Sequence, residues 1–247
     1  ALEDEIVFQG ETTIAAFIME PILGAGGVIP PHESFMPGVR EICDRHGILL
    51  IADEVITAYG RTGAWSGSRL WGVTPDMMCT AKAITNGYFP FGAVMLNWKV
   101  AEIFERDTTG AGAIGSGYTY SGHPVGAAAA LACIAETKRL DVTKNAAARG
   151  TQMFKGLKNL AVKHEIIGDV RGGYGLMSAL ELTSDRKTKA KPIKATVDDI
   201  YQRVYENGVM IRVSGPNIIL SPPLVISEAE VDIVIAALDM ALTAVSQ

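Results

Sequence analysis

The 247-residue sequence has little of what several large classes of protein require. Cysteine is scarce: Cys43, Cys79 and Cys133 are odd in number, far apart and set in apolar or helical contexts. They read as reduced core thiols of a cytosolic protein, which excludes a disulfide frame and a cysteine zinc site. The four histidines (His32, His46, His123, His164) stand at no metal-ligand spacing. There is no Lys/Arg-rich run, and the net charge of −5 argues against a nucleic-acid surface. The longest apolar stretches, such as residues 125–135, fall well short of a bilayer span, so no membrane is expected. Repeats and low-complexity tracts are missing. So is a signal peptide, but that carries little weight, because acidic, patternless residues 1–12 read as the end of a helix and loop begun upstream.

What is present is a globular composition, 48% hydrophobic and 20% charged, with length enough for one or two domains and a sizeable core. The organising stretch runs from residue 48 to residue 84. An apolar run, residues 48–52, ends in Asp53 and Glu54; a second short run, residues 77–80, leads to a lone lysine, Lys82. Such runs read as strands of a parallel sheet buried on both faces. In open α/β sheets, ligands sit beyond the carboxyl ends of the strands. Acids at one end and a lysine at another therefore suggest one site of mixed charge, with a structural ion pair as an equal alternative on these residues alone.

Along the chain, strands are expected at residues 13–19, 48–55, 77–80 and 91–97, with helices at 34–46 and 99–106 between or after them. This alternation implies a parallel sheet in an α/β layer. Residues 59–71 read as a loop. Residues 107–117 contain Gly110, Gly112 and Gly115 in the spacing of a dinucleotide fingerprint, but a charged helix precedes them where that motif needs a strand. A flexible loop is the expectation there. Pro124 opens an alanine-rich helix to about residue 140, and a second helix covers 142–164. A glycine-rich hinge is expected at 168–175, then a strand at 176–182, a basic exposed loop at 187–194 and a helix at 197–207. Short strands at 209–213 and 218–221 precede a last helix at 227–245, opened by a Ser227–Glu230 capping box.

The blocks MEPILGAGGVIPP, LLIADEVITAYGRTG, TPDMMCTAKAITNGYFPFGAV and SGYTYSGHPVGAAAA, in this order and spacing, resemble the class III (omega) aminotransferases. DVRGGYGLMSALEL and VMIRVSGPNIILSPPLVIS extend the likeness to the C-terminus, over the C-terminal part of that longer family. The resemblance implies a fold-type-I α/β protein using pyridoxal 5'-phosphate (PLP). Residues 1–141 would be the C-terminal part of the large domain, with a mostly parallel sheet, and residues 142–247 a smaller α+β domain. It also implies that a front half with further phosphate- and ring-binding groups is absent, leaving an incomplete pocket and sheet cover.

Residue roles follow from the same likeness. Lys82 would form the Schiff base and later shuttle a proton, and an apolar setting among Ala81, Ala83 and Ile84 would favour its neutral amine. Asp53 would pair with the pyridine nitrogen, Val55 would pack on the ring, and Glu20 would lie near the cofactor. Thr119 would reach the phosphate in a partner subunit, implying a homodimer with shared sites; alternatively, Thr119 and Ser121 cap the following helix. Family members acting on ornithine or 4-aminobutyrate carry a glutamate and an arginine where this chain has Ala25 and Ile219. Arg212 instead matches the mobile arginine of the amine:pyruvate branch, suited to gripping a carboxylate. The expected partners are small amines and keto acids, in the cytoplasm. Decarboxylase, aminomutase and racemase chemistry, an NAD-linked oxidoreductase at Gly110 to Gly115, and a non-catalytic remnant are the alternatives.

Overall fold

A computed structural model describes residues 1–110 and 112–245, and it divides into two compact units. The first comprises residues 1–21, 31–59 and 66–140; the second comprises 22–30, 60–65 and 141–247. The segments 22–30 and 60–65 thus leave the N-terminal region in which the sequence placed them. Backbone carbonyls explain both. The Arg61 guanidinium donates to the Leu176 and Pro222 carbonyls at 2.9 and 2.7 Å, and Arg171 donates to the Gly27 carbonyl at 3.0 Å.

In the first unit, β1 (Ala16–Met19), β2 (Leu49–Asp53) and β3 (Met77–Thr80) are parallel, and β4 (Ala93–Leu96) closes the sheet antiparallel to β3. Helices α1 (Leu2–Gln9) and α2 (Phe35–His46) cover one face. There Ile6, Met36, Val39 and Cys43 pack with Leu50 and Ala52 of β2. Gly47 ends α2 in the left-handed region (φ 66), which only glycine adopts without strain, and turns the chain into β2. The expectation that the apolar runs of β2 and β3 are buried on both faces is corrected here: β2 alternates buried and half-buried residues, β3 is half-buried up to Thr80, and the face opposite the helices leaves Ile18 of β1 and Val94 of β4 exposed at 60% and 58%. Residues 59–71, read as a loop, contain a short helix α3 (Gly67–Leu70). Helix α4 (Trp98–Arg106) starts where the Asn97 side chain accepts from the Val100 N–H, and α5 (Pro124–Arg139) starts with proline in its first turn.

Asp76, buried before β3, ties the amino ends of these elements together. Its carboxylate accepts from the Leu50 N–H at 2.8 Å, from Arg40 at 2.7 Å and from the Asn97 amide at 3.0 Å.

The second unit packs α6 (Val142–Lys163), α7 (Lys194–Glu206) and α8 (Glu228–Val245) with a four-stranded antiparallel sheet in the order β5 (Ile167–Arg171), β6 (Ser178–Leu182), β8 (Asn217–Leu220), β7 (Arg212–Ser214). Val170, Leu180 and Ile218 enter the apolar core with Met153, Leu157, Ile200 and Leu238. The hinge expected at 168–175 is in part strand β5, and Gly168 sits at a register irregularity between Ile167 and Asp169. The capping box of α8 forms as expected: the Glu230 carboxylate accepts from the Ser227 N–H and hydroxyl, both at 2.7 Å. Gly150 of α6 lies so close to the 173–175 turn that a Cβ there would meet the Gly175 carbonyl oxygen at 2.0 Å. Among the described residues, no helix is long and apolar enough to cross a membrane.

Burial opposes ionisation of Asp76, but hydrogen bonds from Leu50, Arg40 and Asn97 prevail and hold its carboxyl below the usual range. A depressed carboxyl stabilises the fold fully above the unfolded-state pKa of about 3.9 and loses that contribution as pH falls through the folded-state value. Asp76→Asn is expected to lower stability by about 2 kcal/mol at pH 7. The gap between wild type and variant should close below about pH 4 in urea titrations over pH.

Candidate active site

Parallel strands deliver their carboxyl ends to one edge, and register fixes what stands level there. Met19 pairs with Ala52, so Glu20 lies beside Asp53 at the end of the adjacent strand. Asp53 in turn pairs with Cys79, and Lys82 follows three residues later, two past the end of β3. The sheet therefore gathers Glu20, Asp53 and Lys82 at one edge of the first unit. Among the described residues no salt bridge joins Asp53 to Lys82, which removes the structural ion pair as the explanation for them.

The two acids after β2 have separate fates. Asp53 is half-buried, and its Oδ1 accepts from the Val55 N–H at 3.1 Å, a local turn that also sets Val55, itself half-buried, at the edge. Glu54 is fully buried and saturated. Its carboxylate accepts from the Gly67 and Ser68 N–H groups at 2.8 and 2.7 Å and from the Thr57 and Ser68 hydroxyls at 2.5 and 2.6 Å. It anchors the start of α3 and fixes the chain leaving the edge. This role was missed from the sequence; its four donors lie 3, 13 and 14 residues away in unpatterned sequence, and only the serine and threonine near Gly67 hint at it.

Lys82 opens a 3-10 turn, Lys82–Ile84, at φ 46, a left-handed conformation that non-glycine residues seldom adopt. It is exposed, not buried among Ala81, Ala83 and Ile84 as expected. With three residues per turn, the position that buries Ile84 cannot also bury Lys82. Held strain of this kind clusters at functional sites. Helix α5 braces the loop after Lys82: a Cβ at Gly126 would meet Phe91 at 2.7 Å and Phe89 at 2.9 Å, so only glycine permits this approach. His123 packs against Phe89 with ring centroids 5.0 Å apart and the rings tilted by 35°, and its Nδ1 accepts from the Val125 N–H to cap α5. Thr119 lies exposed in the turn before it, and Ser121 accepts from the Tyr118 N–H at 2.9 Å. Neither is the cap.

The described residues of 107–117 have no strand–turn–helix form. The Asp107 carboxylate, pushed down to about 2 chiefly by the Thr109 hydroxyl and the Gly112 N–H, organises them as a loop; Ala111 lies outside the described residues. That geometry does not meet the needs of a dinucleotide motif.

In the second unit, Arg212 is exposed on edge strand β7 and pairs across the ladder with Ile219. Directly opposed residues share a face, so the cation at 212 and the apolar residue at 219 are immediate neighbours. The full cross-strand row reads Arg171, Ala179, Ile219, Arg212, and the next row Asp169, Glu181, Asn217, Ser214. Arg212 and Ile219 also line a cavity of about 390 Å³ with Met153 and Ser221. Among the described residues no acid pairs with Arg212, and no cluster of histidine, cysteine or acids could hold a metal ion.

The sequence profile of the family described as Aminotransferase class-III matches residues 2–242. The putrescine–pyruvate aminotransferase of Pseudomonas aeruginosa is 39% identical over 94% of this chain and 50% of its own length. The diaminobutyrate–2-oxoglutarate transaminase of Halomonas elongata is 36% identical over 99% of this chain and 53% of its own. Among solved structures, an amine transaminase from an uncultivated Pseudomonas species, with PLP bound, superposes with a TM-score of 0.95 at 45% identity, over 98% of this chain and 55% of its own. An (S)-enantioselective omega-transaminase from Thermomicrobium roseum gives a TM-score of 0.93 at 38% identity, over 100% of this chain and 54% of its own. The chain thus spans about half the length of the relatives it matches.

Replacing Glu54 by glutamine turns an NH2 group toward N–H donors that now meet an oxygen. Glu54→Gln is expected to cost about 3 kcal/mol in chemical denaturation. Asp53→Asn, which keeps the Oδ1 acceptor, should unfold at nearly the wild-type midpoint.

Proposed function

The chain belongs to the class-III aminotransferases, and on that premise we propose that its protein is a PLP-dependent transaminase. It would move an amino group from an amine or omega-amino acid to a keto acid such as pyruvate. The observation that carries this reading is the edge where Asp53 and Lys82 end adjacent parallel strands without pairing with each other.

The donor set fits PLP. Bound there, PLP supplies the electron sink for the pair of electrons left when a proton leaves the donor carbon. Lys82 would hold the cofactor through its Nζ amine, and the same amine is the base placed to move the donor carbon's proton. Its exposed, strained position leaves the amine accessible for both tasks. Asp53, whose Oδ1 accepts from the Val55 N–H and whose Oδ2 has no hydrogen bond to another described residue, would hold the pyridine nitrogen protonated. Val55 packs against the ring and Glu20 stands beside Asp53. Thr119, exposed and with its hydroxyl unengaged among the described residues, serves the phosphate in the partner subunit of a homodimer.

Arg212 binds the carboxylate of the keto acid, and its lack of an acid partner among the described residues leaves the guanidinium available for that fork. The exchange of roles between Ile219 and Arg212 is a shift of one strand within a single cross-strand row. With Ala25 on the nearby 24–27 turn, it leaves a roomier, more apolar pocket than a glutamate–arginine pair would. The putrescine–pyruvate relative and the amine transaminase structure support an amine donor and pyruvate. Free thiols at Cys43, Cys79 and Cys133 support a reducing compartment, the cytoplasm.

Incubation with PLP, borohydride reduction and peptide mapping test the core of this reading. One phosphopyridoxyl group is expected on Lys82 and none on Lys82→Ala; a wild-type holoenzyme preparation without it overturns the assignment. Arg212→Ala should raise the KM for pyruvate at least about tenfold, the loss of a charged hydrogen bond, while the Lys82 adduct persists. Full activity toward pyruvate in that variant would remove Arg212 from the substrate site.

A further inference from the structure

The row Arg171, Ala179, Ile219, Arg212 carries two arginines with opposite circumstances. Arg212 has no acid partner among the described residues. Arg171 is fully engaged: Nη1 donates to Asp169 at 3.0 Å and to Glu181, Nη2 to the Asn217 side-chain oxygen at 2.5 Å, and Nε to the Gly27 carbonyl at 3.0 Å. Two carboxylates neutralise it, so it is unsuited to compete with Arg212 for a substrate anion.

Its remaining bond reaches the turn at residues 24–27. That turn is closed by the Gly27 and Val28 N–H groups donating to the Gly24 carbonyl at 3.2 and 3.1 Å, and by the bridge between Leu23 and Ile29. Its backbone is strained. Gly27 stands at φ 123, and buried Val28 stands at φ 51, where a β-branched residue is an outlier. A Cβ at Gly27 would lie 3.0 Å from both Arg171 Nη2 and the Asn217 side chain, so the turn is pressed directly onto this pair. Strain of this sort persists only where the surroundings over-determine it. Arg171 and Asn217 are the side chains placed to do so.

We infer that Arg171 is a positioning residue for substrate selection: it clamps the 24–27 turn through the Gly27 carbonyl and so fixes where Ala25 stands. The inference rests on the reading above that Ala25 borders the donor pocket. Asp169 and Glu181 act through Arg171, holding the fork in place; neither is assigned any contact with substrate.

The test compares Arg171→Gln and Arg171→Lys with wild type in the holoenzyme by three measurements: amide hydrogen exchange at residues 24–29, KM and kcat for the amine donor, and the borohydride-fixed adduct on Lys82. Arg171→Gln is expected to speed exchange at the turn and raise the donor KM, each about tenfold, the effect of one charged hydrogen bond. Its kcat and Lys82 adduct should stay near wild type. Arg171→Lys, which keeps the charge without the fork, should fall between them. Unchanged exchange and KM in either folded variant overturn the inference. So does a parallel loss of kcat and adduct, which marks a general structural role. A wild-type holoenzyme that takes no adduct defeats the transaminase reading instead, and the exchange measurement still decides whether Arg171 holds the turn.

Discussion

Parallel pairing is the constraint on which the candidate site depends. Strands β1, β2 and β3 run the same way, so each must release its chain at the same edge, and no tight turn can divert it. Register then sets the heights: Glu20 beside Asp53, and Lys82 three residues above the partner of Asp53. Everything that makes the edge usable follows from managing three departing chains. Asp53 turns its own chain through the Val55 N–H, Glu54 buries a charge to hold the start of α3, and Gly126 lets α5 brace the loop after Lys82. At the opposite end of the strands, Asp76 performs the complementary task of fixing where they begin.

Much of this was legible in the residues, for physical reasons that differ by element. Strand β2 announced itself because an uninterrupted apolar run ending in acids has few other interpretations, and α8 because the serine–glutamate spacing of its cap is local. The place of Asp53 and Lys82 at strand ends could be read from the two apolar runs that precede them. Direction was not legible: β4 pairs antiparallel to β3, and period-two side-chain patterns carry no sign of orientation. Helix α3 was missed because a Gly-Ser sequence has weak helical preference, and the buried carboxylate that starts it lies 13 residues back. Strand β5 was read as hinge because Gly168 weakens the pattern where the ladder shifts register. The burial expected of Lys82 failed because local apolar neighbours say nothing about which side of a tight turn faces inward.

The second unit shows how a sheet can separate structural from available charge. One face feeds Val170, Leu180 and Ile218 into the core, while the other aligns ionic side chains in two rows. Within a single row, Arg171 is saturated by acids and carbonyls, and Arg212 is not. Identical side chains at opposite edges of the sheet thus present quite different fields, decided by the acids in the adjacent row and not by the arginines themselves.

The second unit also has a consequence for biosynthesis. Residues 22–30 and 60–65 belong with it, yet most of it lies beyond residue 141. A ribosome makes the N-terminal portions first. Arg61, whose half-buried guanidinium is pulled down to about 10 by desolvation, is therefore synthesised long before the Leu176 and Pro222 carbonyls that receive it. Until those residues emerge, the Arg61 side chain lacks the two carbonyls that receive it. Vectorial synthesis therefore makes these two segments wait: their bonds within the second unit are completed only after β6 and β8 have left the exit tunnel.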